Sequence, residues 1–397
     1  MTVHKKKFKF FLKEIFSDQY KHGNVFLYFI ILINFSLIAY YNLNNEFVMS
    51  SDSGQFSRWA DILITLNFNL YNYYIQNTFI NPNYLYTIPI VIIAIFKLIF
   101  ETTWQNAFVF FNLILIFFSL ILFTKSLLLL KVRPLIISMA IPLLTLSVDL
   151  LTWPRYILTD TIFAFLIILI FYFMIKSLIK KDNYYFLFTF FIIILFFTRP
   201  TSLPFIFVIT VFLIVSRLQI NYAPKIVLSI ICFLFIFTPF LFTFLYKFMQ
   251  TNFGDNAQAL FIIRHVEKGV IIDDRPETWL NTPKVFLDYF FLYLVRLLYF
   301  FIPYVKSFST IHIIINMIQP IIVFLSLAIW IKLGNKFENM NKSIALVLFV
   351  SFSVAAFHSF TLIDYDFRYR FPIIMPLMLV FPISTEIVVR KISNKIF

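Results

Sequence analysis

Residues 226–246 read IVLSIICFLFIFTPFLFTFLY, an uncharged stretch bounded by Lys225 and Lys247. A helix of about 20 apolar residues crosses the hydrocarbon core of a bilayer, so this stretch predicts one membrane span. Similar runs recur along the chain, and the predicted fold class is an all-α, polytopic helical membrane protein with about ten spans. The predicted spans lie near residues 24–41, 104–123, 134–151, 159–175, 184–198, 202–216, 225–246, 310–331, 343–361 and 371–388.

The composition of the 397 residues agrees with this prediction, since 61% are hydrophobic and only 13% are charged. Soluble domains carry about 25% charged residues. Five glycines leave no glycine-rich nucleotide motif, which excludes nucleotide-driven transport by this chain alone. The single cysteine, Cys232, lies in an apolar run and is predicted to be a buried small hydrophobe. The net charge of +14 comes from bases at the ends of apolar runs, so we expect no nucleic-acid partner.

The basic residues also predict the topology. Residues 1–23 include HKKKFKFFLKEIF and indicate a cytoplasmic basic interfacial helix rather than a signal peptide, and residues 24–397 are expected to form a single domain. Two shorter apolar segments, 86–99 and 286–303, are predicted to be half-inserted or interfacial helices on the outer face. With that placement every basic cluster between spans falls in the cytoplasm, as do both termini.

This topology leaves two large outer regions, 42–103 and 247–309, and most of the carboxylates outside. We therefore expect a multi-pass protein of the bacterial inner membrane that carries out its chemistry on the outer face. The second region is expected to cover the active site and to select the acceptor. Within it, Asp288 and Arg296 lie eight residues apart and predict the polar side of a helix.

The first outer loop contains MSSDSGQFSRWADILI at residues 49–64. Ser50, Ser51 or Asp52 can cap a helix that begins near Ser53. The apolar residues of this helix share one face, which predicts an amphipathic helix on the membrane surface; they are Phe56, Trp59, Ala60, Leu63 and Ile64. Asp52 is then either a simple cap or a carboxylate held at the membrane rim as a general base or a metal ligand.

Several short motifs follow in a fixed order along nearly the whole chain. They are the acidic residue that opens the juxtamembrane helix, Pro82-Asn83-Tyr84, Tyr156-Ile157-Leu158-Thr159-Asp160, Thr198-Arg199-Pro200-Thr201 and Asp366-Phe367-Arg368-Tyr369-Arg370-Phe371-Pro372. In these motifs the chain resembles the GT-C superfamily of membrane glycosyltransferases, of the protein O-mannosyltransferase and aminoarabinose transferase types.

The resemblance implies a GT-C-like fold and transfer of a sugar, usually with inversion, from a polyprenyl-phosphate donor. The acceptor would be a cell-envelope glycan, lipid or protein. Asp52 would be the general base and Asp160 a second acidic site residue. A divalent cation shared by these two carboxylates is open, and no other cofactor is expected. The residues implied in substrate binding are Arg58, Arg155, Arg199, Arg368, Tyr369 and Arg370.

Each of these residues has a structural alternative. Asp160 can cap the fourth span, Arg155 can anchor an interface, and Arg368 can pair with neighbouring acids at the surface. The sequence Asp364-Tyr365-Asp366 matches the metal motif of other glycosyltransferases but faces away from cytosolic nucleotide sugars on this topology. No histidine pair has the spacing of a zinc site.

Two other functions stay open from the sequence. An O-antigen-type polymerase would carry a dominant basic outer loop, whereas residues 247–285 contain as many acids as bases. A transporter or lipid flippase would have broken helices at mid-membrane depth, for which Pro142, Pro239 and Pro320 are candidates.

Overall fold

A computed structural model describes residues 23–77, 83–180, 185–217, 222–272, 278–301, 309–361 and 369–396. The predicted cytoplasmic helix at 1–23 thus lies, but for Gly23, outside the described residues. Helices dominate the described part, which contains no strand and one isolated β-bridge. The helices are α1 Gly23–Leu43, α2 Ser51–Thr65, α3 Leu70–Asn77, α4 Thr87–Phe100, α5 Trp104–Leu129, α6 Pro134–Thr145, α7 Val148–Thr152, α8 Asp160–Lys180, α9 Tyr185–Phe196, α10 Ser202–Arg217, α11 Pro224–Asn252, α12 Ala257–Glu267, α13 Phe286–Tyr299, α14 Thr310–Leu333, α15 Glu338–Thr361, α16 Phe371–Met378 and α17 Val380–Ile396.

Each of the ten predicted spans coincides with helix. Seven helical stretches among the described residues are long and apolar enough to cross a membrane. An eighth candidate is the pair α6 and α7, which is bent by 68° where a continuous span was predicted. The helices α9 and α10 are apolar but shorter. The all-α, multi-pass membrane character is therefore supported. Length and apolar character give seven or eight spans among the described residues, and the count of ten stays a prediction.

Helix α4 doubles back against α5. The rings of Phe96 and Phe111 lie 5.5 Å apart, whereas fifteen residues of straight helix would separate them by about 22 Å. The turn occurs at Glu101, whose φ of 43° is outside the helical region. The predicted segment 86–99 is thus a separate short helix packed against α2 and α5.

Helix α8 lies at the centre of the bundle and contacts α5, α9, α15 and α16. The residues of α8 itself are apolar on all its sides, and nearly all of them are buried. This is the pattern expected of a helix with no face toward solvent or lipid. Asp160 is its first residue, so the packing of α8 fixes the position of that carboxylate.

At one end of the bundle, the buried carboxylate of Glu386 in α17 is the centre of a hydrogen-bond network. It accepts hydrogen bonds from the Arg133 backbone N–H at 3.0 Å and from Arg390 Nε at 2.8 Å. Arg390 also donates to the carbonyl of Lys131. This network joins the α5–α6 turn to α17 at the end away from Asp160.

Two sequence predictions about single residues are wrong. Cys232 is exposed rather than buried. Arg296 is not on a polar side of α13 with Asp288, because it lies on the buried face beside Leu292, Tyr293 and Leu297.

Candidate functional site

Helix α2 carries Asp52 in its first turn, and the residue that caps it is Ser50. The Ser50 hydroxyl accepts from the Ser53 backbone N–H, and the Ser53 hydroxyl accepts from the Ser50 N–H, a reciprocal capping box. Asp52 is therefore not the cap. Its half-buried carboxylate lies where the helix dipole favours a negative charge.

The buried face of α2 is formed by Phe56, Ala60 and Leu63, as the apolar pattern predicts. This face packs against α4, so protein covers it. Arg58 is exposed on the same helix and does not belong to this face.

The loop that precedes Asp160 is bound to the loop that precedes Asp52. Val48 donates its N–H to the Arg155 carbonyl at 3.0 Å and accepts from the Ile157 N–H at 3.2 Å, which forms the parallel bridge with Tyr156. The structure thus brings the segments that carry the two predicted carboxylates side by side.

Side chains from two further helices hold the same loop. Asn42 at the end of α1 donates to the Leu151 carbonyl at 2.8 Å, and the buried Asn112 of α5 donates to the Pro154 carbonyl at 3.0 Å. Arg155 projects from this loop, and its guanidinium lies 5.8 Å from the rings of Tyr41 and Tyr156.

Asp160 forms a buried ion pair with Arg199. Their side chains are 2% and 4% exposed, and Arg199 Nη1 donates to Asp160 Oδ1. Arg199 lies in the tight turn between α9 and α10, where the sequence predicts Thr198-Arg199-Pro200-Thr201. The carboxylate at the first residue of α8 therefore fixes this turn against the centre of the bundle.

Aromatic contacts extend this pair toward α15 and α16. The Arg199 guanidinium lies 5.1 Å from the ring of Tyr369, and Tyr369 lies 4.5 Å from the ring of His358. His358 in turn stacks on Phe300 at 5.7 Å. These residues are all buried and form one continuous cluster at one end of the bundle.

Arg370, the residue after Tyr369, is buried and lines a cavity of about 590 Å³. Ligand pockets for small molecules span roughly 300–1,000 Å³. The cavity runs between α11, α13, α14, α15 and α16. Its lining along α14 extends from Asn316 to Ile331, about 22 Å of helix.

Apart from Ser351 of α15, the polar side chains of this cavity lie at one end. Asp149 comes from α7, Asn316 and Gln319 from the first half of α14, and Arg370 from the start of α16. The other end is apolar, with Trp330 and Ile331 of α14 and Leu377 and Met378 of α16. Cys232 and Phe324 line the cavity and are also exposed, so it reaches the outer apolar surface of the bundle.

Sequence reasoning missed the polar residues of this cavity other than Arg370. Asp149 is buried in α7, where its Oδ1 accepts from Trp153 Nε1 at 3.0 Å. Gln319 donates to the carbonyls of Leu143 and Leu144 near the α6–α7 bend. The available signal was an ionisable or amide group inside an apolar run, where it is expensive to bury.

Arg368, Asp364, Asp366 and Pro82 lie outside the described residues. Apart from the exposed Arg58, the remaining predicted residues divide into two groups. The first is the bound loops with Asp52 and Arg155. The second is the buried cluster with Asp160, Arg199 and Tyr369, to which Arg370 is adjacent.

The described residues do not fit the divalent cation left open above. Within the described ranges no group of three or more His, Cys, Asp or Glu side chains is close enough to hold a metal ion. Asp160 directs an oxygen at Arg199, which already supplies a positive charge at that carboxylate.

No family profile, curated protein or solved structure matches the chain.

Proposed function

We propose that this protein is a membrane glycosyltransferase of the GT-C type, which uses a polyprenyl-phosphate-linked sugar. The observation that carries the proposal is the elongated cavity, apolar along most of its length and ending at Arg370 beside the Asp160–Arg199–Tyr369 cluster. An isoprenoid chain needs such an apolar channel that reaches lipid. The phosphate attached to that chain needs a cation at the end of the cavity that is buried in the bundle, and arginine is well suited to bind phosphate.

In the reaction we propose, Asp52 accepts the proton of the acceptor hydroxyl while the hydroxyl oxygen attacks the anomeric carbon of the donor. The bond from that carbon to the phosphate oxygen breaks, and polyprenyl phosphate leaves with the electron pair. Arg370 stabilises the negative charge that develops on the phosphate. Asp160 acts as a positioning residue, because its carboxylate holds Arg199 against Tyr369.

The same proposal includes ten crossings, with α9 and α10 as short spans, the bent pair α6 and α7 as one, and both termini cytoplasmic. The contacts of Val48, Arg199, Tyr369 and Gln319 all lie at one end of the bundle, and the Glu386 network lies at the other. Basic residues accumulate at the Glu386 end, which the positive-inside rule assigns to the cytoplasm.

The test is sugar transfer in membranes that contain wild-type protein or Asp52→Asn, supplied with labelled polyprenyl-phosphate hexoses. We expect a fall in turnover of about 10²–10⁴-fold, the usual contribution of a general base. Asp61→Asn is the matched control, because Asp61 lies on the same helix but pairs with Lys97 at the surface. Wild-type turnover in Asp52→Asn would remove the assigned base.

A transporter or flippase is the second candidate, and the bend of 68° between α6 and α7 favours it, since transporters often place discontinuous helices at a binding site. Pro239 and Pro320, by contrast, lie within continuous helices. Flipping of a fluorescent polyprenyl phosphate in proteoliposomes separates the two functions. Flipping that persists in an Asp52→Asn, Arg370→Gln double variant, with no sugar transfer by the wild type, would favour the transporter.

A further inference from the structure

Arg296 is a buried cation, and among the described residues no carboxylate forms an ion pair with it. It is 3% exposed, in the last turn of α13. Its Nε donates to the Val270 carbonyl at 2.7 Å and its Nη1 to the Ser359 carbonyl at 3.4 Å, both neutral groups. Nη2 is buried and has no hydrogen-bond partner among the described residues.

Tyr293, one turn earlier on the same face of α13, also has a buried polar group without a hydrogen-bond partner among the described residues. Its hydroxyl is buried with no partner in the described part of the chain, and the Arg296 guanidinium lies 5.3 Å from its ring. Burial raises the pKa of the Tyr293 phenol, so it remains a donor. Burial lowers the pKa of Arg296 to about 10, which leaves it charged at neutral pH.

An unbalanced buried charge costs several kcal/mol, so proteins pair such a charge or give it a ligand. Two unused donors, a guanidinium N–H and a phenol O–H, point to an oxyanion, a carboxylate or a phosphate. If Arg296 only linked Val270 to Ser359, it would need only its Nε and Nη1 groups. Such a role does not explain the buried Nη2 group or the buried phenol of Tyr293.

We propose that Arg296 and Tyr293 form a second oxyanion-binding site, separate from the site at Arg370. Arg296 does not line the cavity, although Leu298, two residues further, does. The Ser359 carbonyl that it binds follows His358, whose ring contacts Tyr369. Two residues of helix turn by about 200°, so Arg296 lies on the other side of α13 from Leu298, which lines the cavity.

The assignment of a substrate rests on the proposed function. The donor contributes one phosphate, which Arg370 binds, so the oxyanion at Arg296 belongs to the acceptor. The acceptor class is then an anionic glycan or lipid that carries a carboxylate or a phosphate close to the hydroxyl that receives the sugar.

The experiment is a titration of purified protein in detergent, read as the shift in Tm. In Arg370→Gln, which lacks the donor site, inorganic phosphate and glucuronate should each still raise the Tm. The Arg296→Gln, Arg370→Gln double variant should lose both responses. Polyprenyl monophosphate should raise the Tm of Arg296→Gln but not that of Arg370→Gln. A phosphate response that survives in the double variant overturns the site, and a polyprenyl monophosphate response lost in Arg296→Gln overturns its assignment to the acceptor.

Tyr293→Phe is a second test of the site, which keeps the proposal testable if the arginine variants misfold. It removes a buried hydroxyl without a described partner, so stability without ligand should be unchanged or higher. In the Arg370→Gln background it should weaken the affinity for phosphate about tenfold, as expected for one hydrogen bond to a charged group. A loss of stability without ligand, or an unchanged affinity, contradicts the proposal. None of these measurements depends on sugar transfer, so failure of the glycosyltransferase proposal is detected separately.

Discussion

At the scale of residues, two of the ion pairs among the described residues lie in contrasting environments. Asp160 and Arg199 are buried, whereas Asp61 is 59% exposed beside Lys97. Removal of one partner from a buried pair leaves an uncompensated charge. We expect Asp160→Asn to lower the free energy of unfolding by about 3–5 kcal/mol.

Asp61→Asn, the matched surface change, should cost at most about 1 kcal/mol. Reversible unfolding of the detergent-solubilised protein measures both values. Similar losses in the two variants would show that the Asp160–Arg199 pair does not hold the α9–α10 turn.

Cys232 provides a natural probe of the cavity, because it is the single cysteine of the chain and lines the apolar walls. We expect polyprenyl phosphate to slow its alkylation by a membrane-permeant maleimide by at least about tenfold, since the prenyl chain would cover the thiol. Arg370→Ala should weaken this protection and leave the alkylation rate without lipid unchanged. Equal rates with and without lipid would argue against a prenyl chain in this cavity.

Sequence reasoning identified Asp160, Arg199 and Tyr369 separately but did not bring them together. The pair Asp160 and Arg199 is separated by 39 residues, and only the packing of α9 against α8 brings the two side chains into contact. Arg296 was misassigned for a related reason. Periodicity places it on a stripe of α13, but the neighbouring segment at Val270 decides that the stripe is buried.

At the scale of elements, Asp288 stabilises the start of α13. Its carboxylate accepts from the backbone N–H groups of Lys284 at 2.8 Å and Val285 at 3.0 Å. The bond from Val285, then that from Lys284, holds the pKa of Asp288 below its ordinary value. A lowered pKa contributes stability above the unfolded pKa of about 3.9, and this contribution is lost as the pH falls through the folded pKa.

Asp288→Ala should therefore increase hydrogen exchange in the first turn of α13 at pH 7. The difference from wild type should shrink as the pH falls below about 4. Asp255→Ala, an exposed carboxylate before α12, serves as the control and should leave α13 unchanged. A difference that is constant from pH 7 to pH 3 would show that the charge of Asp288 has no part in the cap.

The positions of the helices were largely predictable, because runs of apolar residues bounded by charge determine where a span begins and ends. The break between Thr145 and Val148 follows Pro142, which the sequence offered only as a candidate break beside Pro239 and Pro320. Pro239 shows the opposite case. It lies within α11, which continues without a break from Pro224 to Asn252.

At the scale of the whole molecule, the proposed topology places the two ends of the bundle on opposite sides of the membrane. In a Cys232→Ser background, Asn45→Cys and Lys131→Cys each introduce one exposed thiol, at the site end and the Glu386 end respectively. A membrane-impermeant maleimide added to intact cells should label the first and not the second. Labelling of both, or of Lys131→Cys alone, would contradict the orientation.

The short helices α9 and α10 have a consequence for the lipid around them. Their 12 and 16 residues span about 18 and 24 Å, less than the roughly 30 Å of a typical hydrocarbon core. If both cross, the bilayer must thin locally where it meets them, and the cost rises with acyl-chain length. The depth of Arg199 in the bilayer would then depend on membrane thickness. The acyl-chain length of the lipids that a cell makes would therefore affect where the Asp160–Arg199 pair lies relative to the membrane surface.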